Sequence, residues 1–255
     1  MPKVAIVAAL EREVSGLTKN WTRVEREYQG RNFLFFERDE MIVVCGGIGQ
    51  DAARRAAEAV ITLYRPTLLQ SVGFAGALDA SLHIGDVLAP AVVIDARDGS
   101  RIEIEGNRQG TLVSFMAVAG IDQKANLAQA YGAHAVDMEA SAVAAAARVH
   151  GIPFGAIKVI SDEYDFEMPH TARFIDSQGR FRTASFALFA ALRPWLWPRV
   201  AQLARNSRKA ARALGEYLEH FHQDLRQPSG EINAPPAHPE AHATVIGGSR
   251  AGGHE

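Results

Sequence analysis

Three carboxylate side chains could supply acid–base or sugar-binding chemistry, and each is associated with a predicted strand. Glu13 follows the apolar run Val4 to Ala9, Glu139 lies in the stretch Ala135 to Ala142, and Asp162 follows the run Phe154 to Ile160. Such runs are typical of strands buried on both faces of a parallel sheet, and ligands bind beyond the carboxyl ends of those strands. One carboxylate could hold a sugar's hydroxyls while another handles a proton, as cleavage of a sugar–base bond requires.

Each carboxylate also has a purely structural interpretation. We predict a helix of small residues from Ala135 to His150, in which a buried Glu139 must face a polar cavity or pair with Arg148 or Lys158. Asp162 could cap a turn, and Glu13 could be an acidic residue in the first turn of a helix. The residues alone leave these alternatives open.

Two glycine clusters follow predicted strands and could bring backbone amides against an anion or a sugar. They are Gly46-Gly47-Ile48-Gly49 and Gly73-Phe74-Ala75-Gly76. The first cluster lacks the third glycine of a dinucleotide fingerprint and the lysine of a P-loop. A tight packing turn is an equally good interpretation of it.

The elements that must position these residues alternate between strand and helix, which predicts an α/β layer fold with a largely parallel sheet. Strands are expected at 4–9, 33–36, 41–45, 68–73, 87–94, 110–118 and 154–160, and helices at 51–64, 135–150 and 199–226. We predict one domain over residues 1–226 that ends in the last helix. Residues 227–255 are rich in Pro, Gly, His, Ala and Ser, and we expect a disordered tail there.

Composition narrows the function classes. The formal net charge of the 255 residues is −2, so the chain has no global basic field and we expect no nucleic-acid partner. Cys45 is the one cysteine, which excludes an intramolecular disulfide, and we expect no metal and no cofactor. The apolar N-terminus meets charged residues too early for a signal peptide, and no apolar run would cross a bilayer. A cytoplasmic protein is expected.

Six short motifs occur in one order and together resemble the nucleoside phosphorylase and nucleosidase superfamily, on the branch of methylthioadenosine/S-adenosylhomocysteine nucleosidase. They are Val4 to Val14, Gly47 to Gly49, Gly73 to Ala77, Ile84 to Val87, Val136 to Ala140 and Ile160 to Asp162. The resemblance covers about residues 3 to 165. It implies a three-layer α/β/α fold with a central mixed, largely parallel sheet, and a homodimer.

The resemblance also implies roles for individual residues. Asp162 would protonate the purine leaving group, and Glu13 would activate the attacking water. Glu139 would bind the ribose 2′- and 3′-hydroxyls, with Met138 packing on the sugar. The remaining residues placed in the substrate site are Phe74, Gly76, Lys158 and Ser161. An oxocarbenium-like transition state agrees with a carboxylate beneath the sugar and a protonated acid at the base.

Three departures from the nucleosidases leave the nucleophile and the substrate open. Lys158 replaces an arginine and cannot grip an oxyanion bidentately, Phe74 replaces a serine, and the segment from Asp95 to Gly110 is short. The short segment and Ser161 to Met168 are similar to hopanoid-associated phosphorylase-like members, which act on an adenosine-bearing lipid. The apolar segment Phe186 to Trp197 would suit a lipid substrate or a peripheral membrane contact, or it could be a core helix or a subunit contact.

The sequence therefore predicts an enzyme that cleaves the N-glycosidic bond of an adenosine-type purine nucleoside, with water as the nucleophile. A phosphate-dependent phosphorylase, including one acting on an adenosine-bearing hopanoid, is the first alternative. A catalytically silent nucleoside-binding module is the second, although a binder needs no proton donor such as Asp162. An interaction surface on the basic helix from Arg199 to Arg226 is a third, and a solvated helix face explains those charges more simply.

Overall fold

The structure is a computed structural model that describes residues 4–106, 108–167, 172–176 and 178–226. The predicted disordered tail at 227–255 lies outside the described residues, as does Met168 at the end of the motif that begins at Ser161. Among the described residues, no helix is both long enough and apolar enough to cross a membrane.

Eleven strands and six α-helices make up the described chain. The strands are β1 Val4–Ala8, β2 Thr22–Tyr28, β3 Arg31–Arg38, β4 Met41–Cys45, β5 Leu68–Ala77, β6 Val87–Leu88, β7 Val92–Asp95, β8 Arg101–Glu103, β9 Thr111–Ser114, β10 Ala135–Asp137 and β11 Phe154–Asp162. The helices are α1 Glu11–Thr18, α2 Gln50–Tyr64, α3 Ile121–Tyr131, α4 Ala140–Val149, α5 Thr183–Ala191 and α6 Trp197–Arg226.

All the strands join one mixed sheet in the order β2-β3-β4-β1-β5-β10-β9-β7-β8, with β11 paired to β5 and β6. The central strands β4, β1, β5 and β11 run parallel, whereas β2 and β3 extend one edge as antiparallel strands. The parallel strands are almost continuously buried, as the apolar runs in the sequence predict. The fold is therefore a three-layer α/β/α sandwich, as expected.

The two outer layers are packed differently. Helices α2 and α4 cover one face through buried alanines such as Ala53, Ala56 and Ala147. Small side chains let these helices lie close to the sheet: a Cβ atom on Gly46 would sit 2.6 Å from Ala56 Cβ. On the other face α1 packs against α6, where Leu214 and Leu218 join the core.

The main error of the sequence prediction concerns the stretch from Ala135 to His150. Ala135–Asp137 is strand β10, wedged between β5 and β9, and Glu139 is the N-cap of α4 rather than an interior helical residue. Alanine favours helix intrinsically, but pairing with two neighbouring strands overrides that preference.

Other boundaries also differ from the prediction. The strand expected at 87–94 is split into β6 and β7 around Pro90, which cannot donate to a ladder, and the strand expected at 110–118 ends at Ser114. The strand expected at 68–73 continues to Ala77 and so includes the second glycine cluster. Strands β2 and β8 and helix α3 were not predicted.

Candidate active site

A cavity of about 640 Å³ opens where β1, β10 and β11 end beside residues 74–76 of β5. Glu13, Glu139 and Asp162 all line it. The sheet topology explains this convergence, because β1, β10 and β11 are distant in sequence but all pair with β5. Side chains separated by more than a hundred residues thus share one space.

Glu13 turns back from the first turn of α1 toward the end of β1. Its Oε2 accepts N–H hydrogen bonds from Ala9 and Leu10, both at 3.2 Å. Burial raises the pKa of Glu13, although the Lys158 ammonium and these N–H groups act in the opposite direction. A raised pKa suits a general base. Gly73 makes room for the carboxylate, since a Cβ there would lie 2.9 Å from Glu13 Oε2.

Glu139 lies at the start of α4, where the helix dipole favours a negative charge. Its Oε1 accepts the Gly49 N–H at 2.7 Å, and its Oε2 accepts the Met138 N–H at 3.2 Å. The first glycine cluster therefore holds a carboxylate in this structure. Burial, reinforced by the nearby Asp137 carboxylate, raises the pKa of Glu139 to about 7.

A buried ion pair lies next to these two carboxylates. Lys158 Nζ is 2.9 Å from Asp137 Oδ2 and 3.1 Å from Ser71 Oγ, and both charged side chains are at most 1% exposed. Burial alone would lower the pKa of Lys158, but the Asp137 and Glu139 carboxylates outweigh it and raise that pKa. Asp137 Oδ1 also accepts a hydrogen bond from Ser114 Oγ at 2.6 Å. The ammonium is thus fixed and charged among three carboxylates.

Asp162 forms a second buried pair at the end of β11. Its Oδ2 accepts from Lys124 Nζ at 2.5 Å, and its Oδ1 accepts from Ser161 Oγ at 2.8 Å. Lys124 reaches the site from α3 and is buried, with 2% of its surface exposed. Its Nζ also donates a hydrogen bond to the Glu163 carbonyl at 2.6 Å. Gly76 leaves space for the pair, because a Cβ there would lie 2.8 Å from Asp162 Oδ2.

Much of the remaining cavity wall is apolar, and a large share of it comes from the C-terminal part of the described chain. Helix α6 contributes small and aliphatic side chains together with Ser207 and Arg208, and α5 and the loop before it contribute aromatic ones. The apolar residues of this part of the wall are Ile175, Phe181, Phe186, Val200, Leu203, Ala204 and Ala211. The site thus combines a charged end at the sheet with an apolar end at α5 and α6.

The structure brings together most of the residues predicted for the site. Those lining the cavity are Glu13, Phe74, Gly76, Met138, Glu139, Ser161 and Asp162. Lys158 does not line it and instead lies beneath the carboxylates, paired with Asp137. Neither Arg148 nor Lys158 makes a close ion pair with Glu139, whose oxygens accept backbone N–H groups.

Four further charged residues line the cavity and were not predicted for the site: Arg12, Lys124, Asp137 and Arg208. Asp137 also anchors Lys158. Asp137 could have been suspected from its place in the Asp-Met-Glu motif. Lys124 had no such signal, because a single lysine in a polar helix gives no indication that it is buried.

Comparisons with known proteins agree with this geometry. A sequence profile of the phosphorylase superfamily matches residues 3–119 and 110–193. The 5′-methylthioadenosine/S-adenosylhomocysteine nucleosidase of Staphylococcus aureus (strain bovine RF122 / ET3-1) is 27% identical over 196 residues, which span 62% of this chain and 86% of that protein.

Solved structures share the fold at low sequence identity. The Helicobacter pylori 5′-methylthioadenosine/S-adenosylhomocysteine nucleosidase with butyl-thio-DADMe-Immucillin-A has a TM-score of 0.65 and 19% identity, covering 88% of this chain and 99% of that chain. Futalosine hydrolase of the same organism has a TM-score of 0.65 and 18% identity, and the match covers 88% of this chain and 98% of that chain. Arabidopsis thaliana 5′-methylthioadenosine nucleosidase has a TM-score of 0.68 and 17% identity, and the match covers 90% of this chain and 98% of that chain. With the profile matching most of its length, this chain is an enzyme of the phosphorylase superfamily.

Proposed function

We propose that this enzyme cleaves the N-glycosidic bond of a purine nucleoside of the adenosine type, with water as the nucleophile. The observation that carries the proposal is the meeting of Glu13, Glu139 and Asp162 in one cavity. The similarity to a protein named as a 5′-methylthioadenosine/S-adenosylhomocysteine nucleosidase supports the same reaction class.

The proposed step breaks the bond between C1′ of the sugar and the base nitrogen. The bonding electrons leave with the base, and a proton from the Asp162–Lys124 pair neutralises it at a ring nitrogen. Glu13 takes a proton from water as the water oxygen bonds to C1′. Glu139 accepts hydrogen bonds from the sugar hydroxyls, and its charge stabilises the oxocarbenium-like transition state. Each carboxylate thus has a different task.

The proton donor in this scheme is a buried ion pair, because the Lys124 ammonium contacts one oxygen of Asp162. Lys124 Nζ donates a hydrogen bond to Asp162 Oδ2, so a proton can move from Lys124 onto the carboxylate and from the carboxyl group to the leaving base. We therefore assign the proton delivery to Asp162 and Lys124 acting together.

The apolar wall from α5 and α6 favours a substrate with an apolar 5′ substituent. Phe181, Phe186 and Leu203 would contact such a group, while the carboxylates hold the sugar and base. A long hydrocarbon substituent, as in an adenosine-bearing lipid of the hopanoid type, satisfies this requirement. Apolar pocket surface stabilises apolar ligand groups in rough proportion to the area removed from water.

One observation favours phosphorolysis as a second candidate reaction. Arg12 lines the cavity beside Glu13 and could place a guanidinium next to an attacking phosphate oxygen. Lys158, which kept this option open from the sequence, is buried against Asp137 and does not line the cavity. Phosphate binding would therefore rest on Arg12 and on Arg208, the two arginines among the described residues that line the cavity.

Measuring base release with and without phosphate tests both candidates. Adenosines carrying a methylthio group or a long alkylthio group at the 5′ position are incubated with the enzyme, and free adenine and the sugar product are quantified. We expect release without phosphate, a free sugar as product and a higher kcat/KM for the alkylthio substrate. Strict dependence on phosphate with a sugar 1-phosphate product would replace hydrolysis by phosphorolysis. Ligand binding without turnover would indicate a binding module.

A further inference from the structure

The surface formed by α5 and the turn after it carries large apolar side chains in contact with solvent. Leu188 is 65% exposed, Leu192 is 69%, Trp195 is 71% and Trp197 is 55%. These four lie within ten residues, whereas the other exposed large hydrophobic residues of the described chain are dispersed between positions 63 and 164. Large exposed apolar side chains concentrated in one short segment point to an interaction site.

Helix α5 is apolar on every side, yet little of it is covered. Its sequence Thr183 to Ala191 contains no charged residue, and Ala190 is its one buried position. A helix that is hydrophobic all round is normally buried. One side of α5 lines the cavity through Thr183 and Phe186, so the opposite side, with Leu188, needs another apolar environment.

The charge around this surface identifies the partner. Between residues 172 and 209 the sequence contains seven arginines and one lysine but a single acidic residue, Asp176, although the whole chain has a net charge of −2. Arg173 and Arg182 are exposed, whereas Arg199 is exposed but paired with Glu167 at 2.6 Å. Arg193 Cζ lies 3.9 Å from the centre of the Phe189 ring. In this arrangement the aliphatic part of the arginine side chain can cover apolar surface while its charge stays near solvent. Basic residues beside exposed tryptophan and leucine match an anionic bilayer surface.

A second copy of the chain fits this surface less well. A two-fold symmetric contact would place the same patch on both partners and bring the excess of positive charge against itself. An anionic bilayer instead supplies both the apolar interior and the opposite charge. Tryptophan is also enriched at the boundary between lipid and water.

We infer that the α5 surface, defined by Leu188, Leu192, Trp195 and Trp197, docks on the surface of an anionic lipid bilayer. The same segment lines the cavity through Phe186, and α6 continues the wall through Val200 and Leu203. Docking would therefore set the apolar end of the cavity against the membrane. A substrate with a hydrocarbon substituent could then pass from the bilayer to the cavity without crossing water. The inference does not depend on the reaction and can be tested without substrate.

The test is co-sedimentation of the full chain with vesicles of phosphatidylcholine alone and of phosphatidylcholine mixed with phosphatidylglycerol. We expect binding to the anionic vesicles that weakens as salt is added, because the charge attraction is screened. The double variant Leu188→Gln/Trp195→Gln should weaken that binding about tenfold or more by removing exposed apolar area. A matched control is Leu63→Gln/Val149→Gln, which alters two exposed apolar side chains elsewhere and should bind like the wild type.

The outcomes separate docking from its alternatives. Absence of vesicle binding by the wild type, or equal binding by both double variants, would overturn the inference. Sedimentation velocity of the same proteins tests the alternative partner: a dimer that only Leu188→Gln/Trp195→Gln dissociates, without vesicle binding, would make this surface a subunit contact. Turnover of a water-soluble 5′-methylthio substrate should be unchanged in both variants, since neither alters a cavity-lining residue.

Discussion

Replacing Lys158 by methionine should destabilise the protein and change its pH dependence together. The substitution removes the ammonium but keeps a side chain of similar length in a site that is 1% exposed. Asp137, whose side chain is 0% exposed, is then left without its counter-ion. Its hydrogen bonds from Ser114 Oγ at 2.6 Å and from the Ala140 N–H at 2.9 Å remain.

The separation of the charges sets the scale of the effect. At the 2.9 Å between Lys158 Nζ and Asp137 Oδ2, and an effective dielectric constant of about 20, the attraction is about 6 kcal/mol. The remaining hydrogen bonds to Asp137 reduce the net loss. Breaking a buried pair by removing one partner costs about 3–5 kcal/mol, and we expect a fall of that size in the unfolding free energy.

Urea denaturation at neutral pH measures this loss, and a double-mutant cycle isolates the pair. Asp137→Asn/Lys158→Met removes both charges and should recover much of the stability lost in Lys158→Met. If Lys158→Met changes the unfolding free energy by less than about 1 kcal/mol, or if the two substitutions are additive, the pair does not have the energetic role assigned to it.

The same variant gives a second, independent readout. The Lys158 ammonium lowers the pKa values of both Glu13 and Glu139, against the effect of burial. Its removal should therefore raise both pKa values and shift the acidic limb of the kcat/KM profile to higher pH. An unchanged limb would mean that neither carboxylate controls the rate.

Three further predictions concern single residues of the site. Lys124→Met should lower kcat for base release about 10–100-fold in steady-state kinetics, and Lys124→Arg should lower it less. Equal kcat values for both variants and the wild type would exclude Lys124 from proton delivery. Gly76→Ala should cost about 1–3 kcal/mol in urea denaturation and lower kcat, because its Cβ would meet Asp162 Oδ2 at 2.8 Å. The control Gly215→Ala, whose Cβ would meet Gly16 Cα at an ordinary 3.6 Å inside helix α6, should lower neither stability nor kcat. The pKa of Glu139 is raised from 4.5 to about 7, so the folded state binds the proton more tightly than the unfolded state. The unfolding free energy should therefore fall by about 3 kcal/mol as the pH rises from below 4.5 to above 7. Glu139→Gln should lack that part of the pH dependence, and identical slopes would contradict the raised pKa.

Much of the fold could be predicted because its central strands are buried on both faces and therefore appear as apolar runs. Strands β1, β4 and β11 are visible in this way. The three residues of β10 were not, because Ala135 and Val136 join an alanine-rich helix in sequence, and only their neighbours β5 and β9 make them a strand. Local preference is a weak guide for so short an element.

The site could be predicted where a motif carried it and not where a long-range contact created it. Glu13, Glu139 and Asp162 each follow a recognisable strand or motif. The partners that hold two functional groups in place come from elsewhere in the chain: Gly49 bonds Glu139 across 90 residues, and Lys124 bonds Asp162 across 38. Such pairings depend on the sheet order, which the sequence pattern did not specify.

The central claim is that these carboxylates form one bond-cleaving site with Asp162 at the base. The most direct test measures binding and single-turnover base release for Asp162→Asn with a 5′-alkylthioadenosine, beside the wild type. We expect a Kd within a few-fold of the wild type and a base-release rate lower by about 10²–10⁴-fold, since asparagine keeps the shape but cannot donate the carboxyl proton. Base release by Asp162→Asn at close to the wild-type rate would contradict the account.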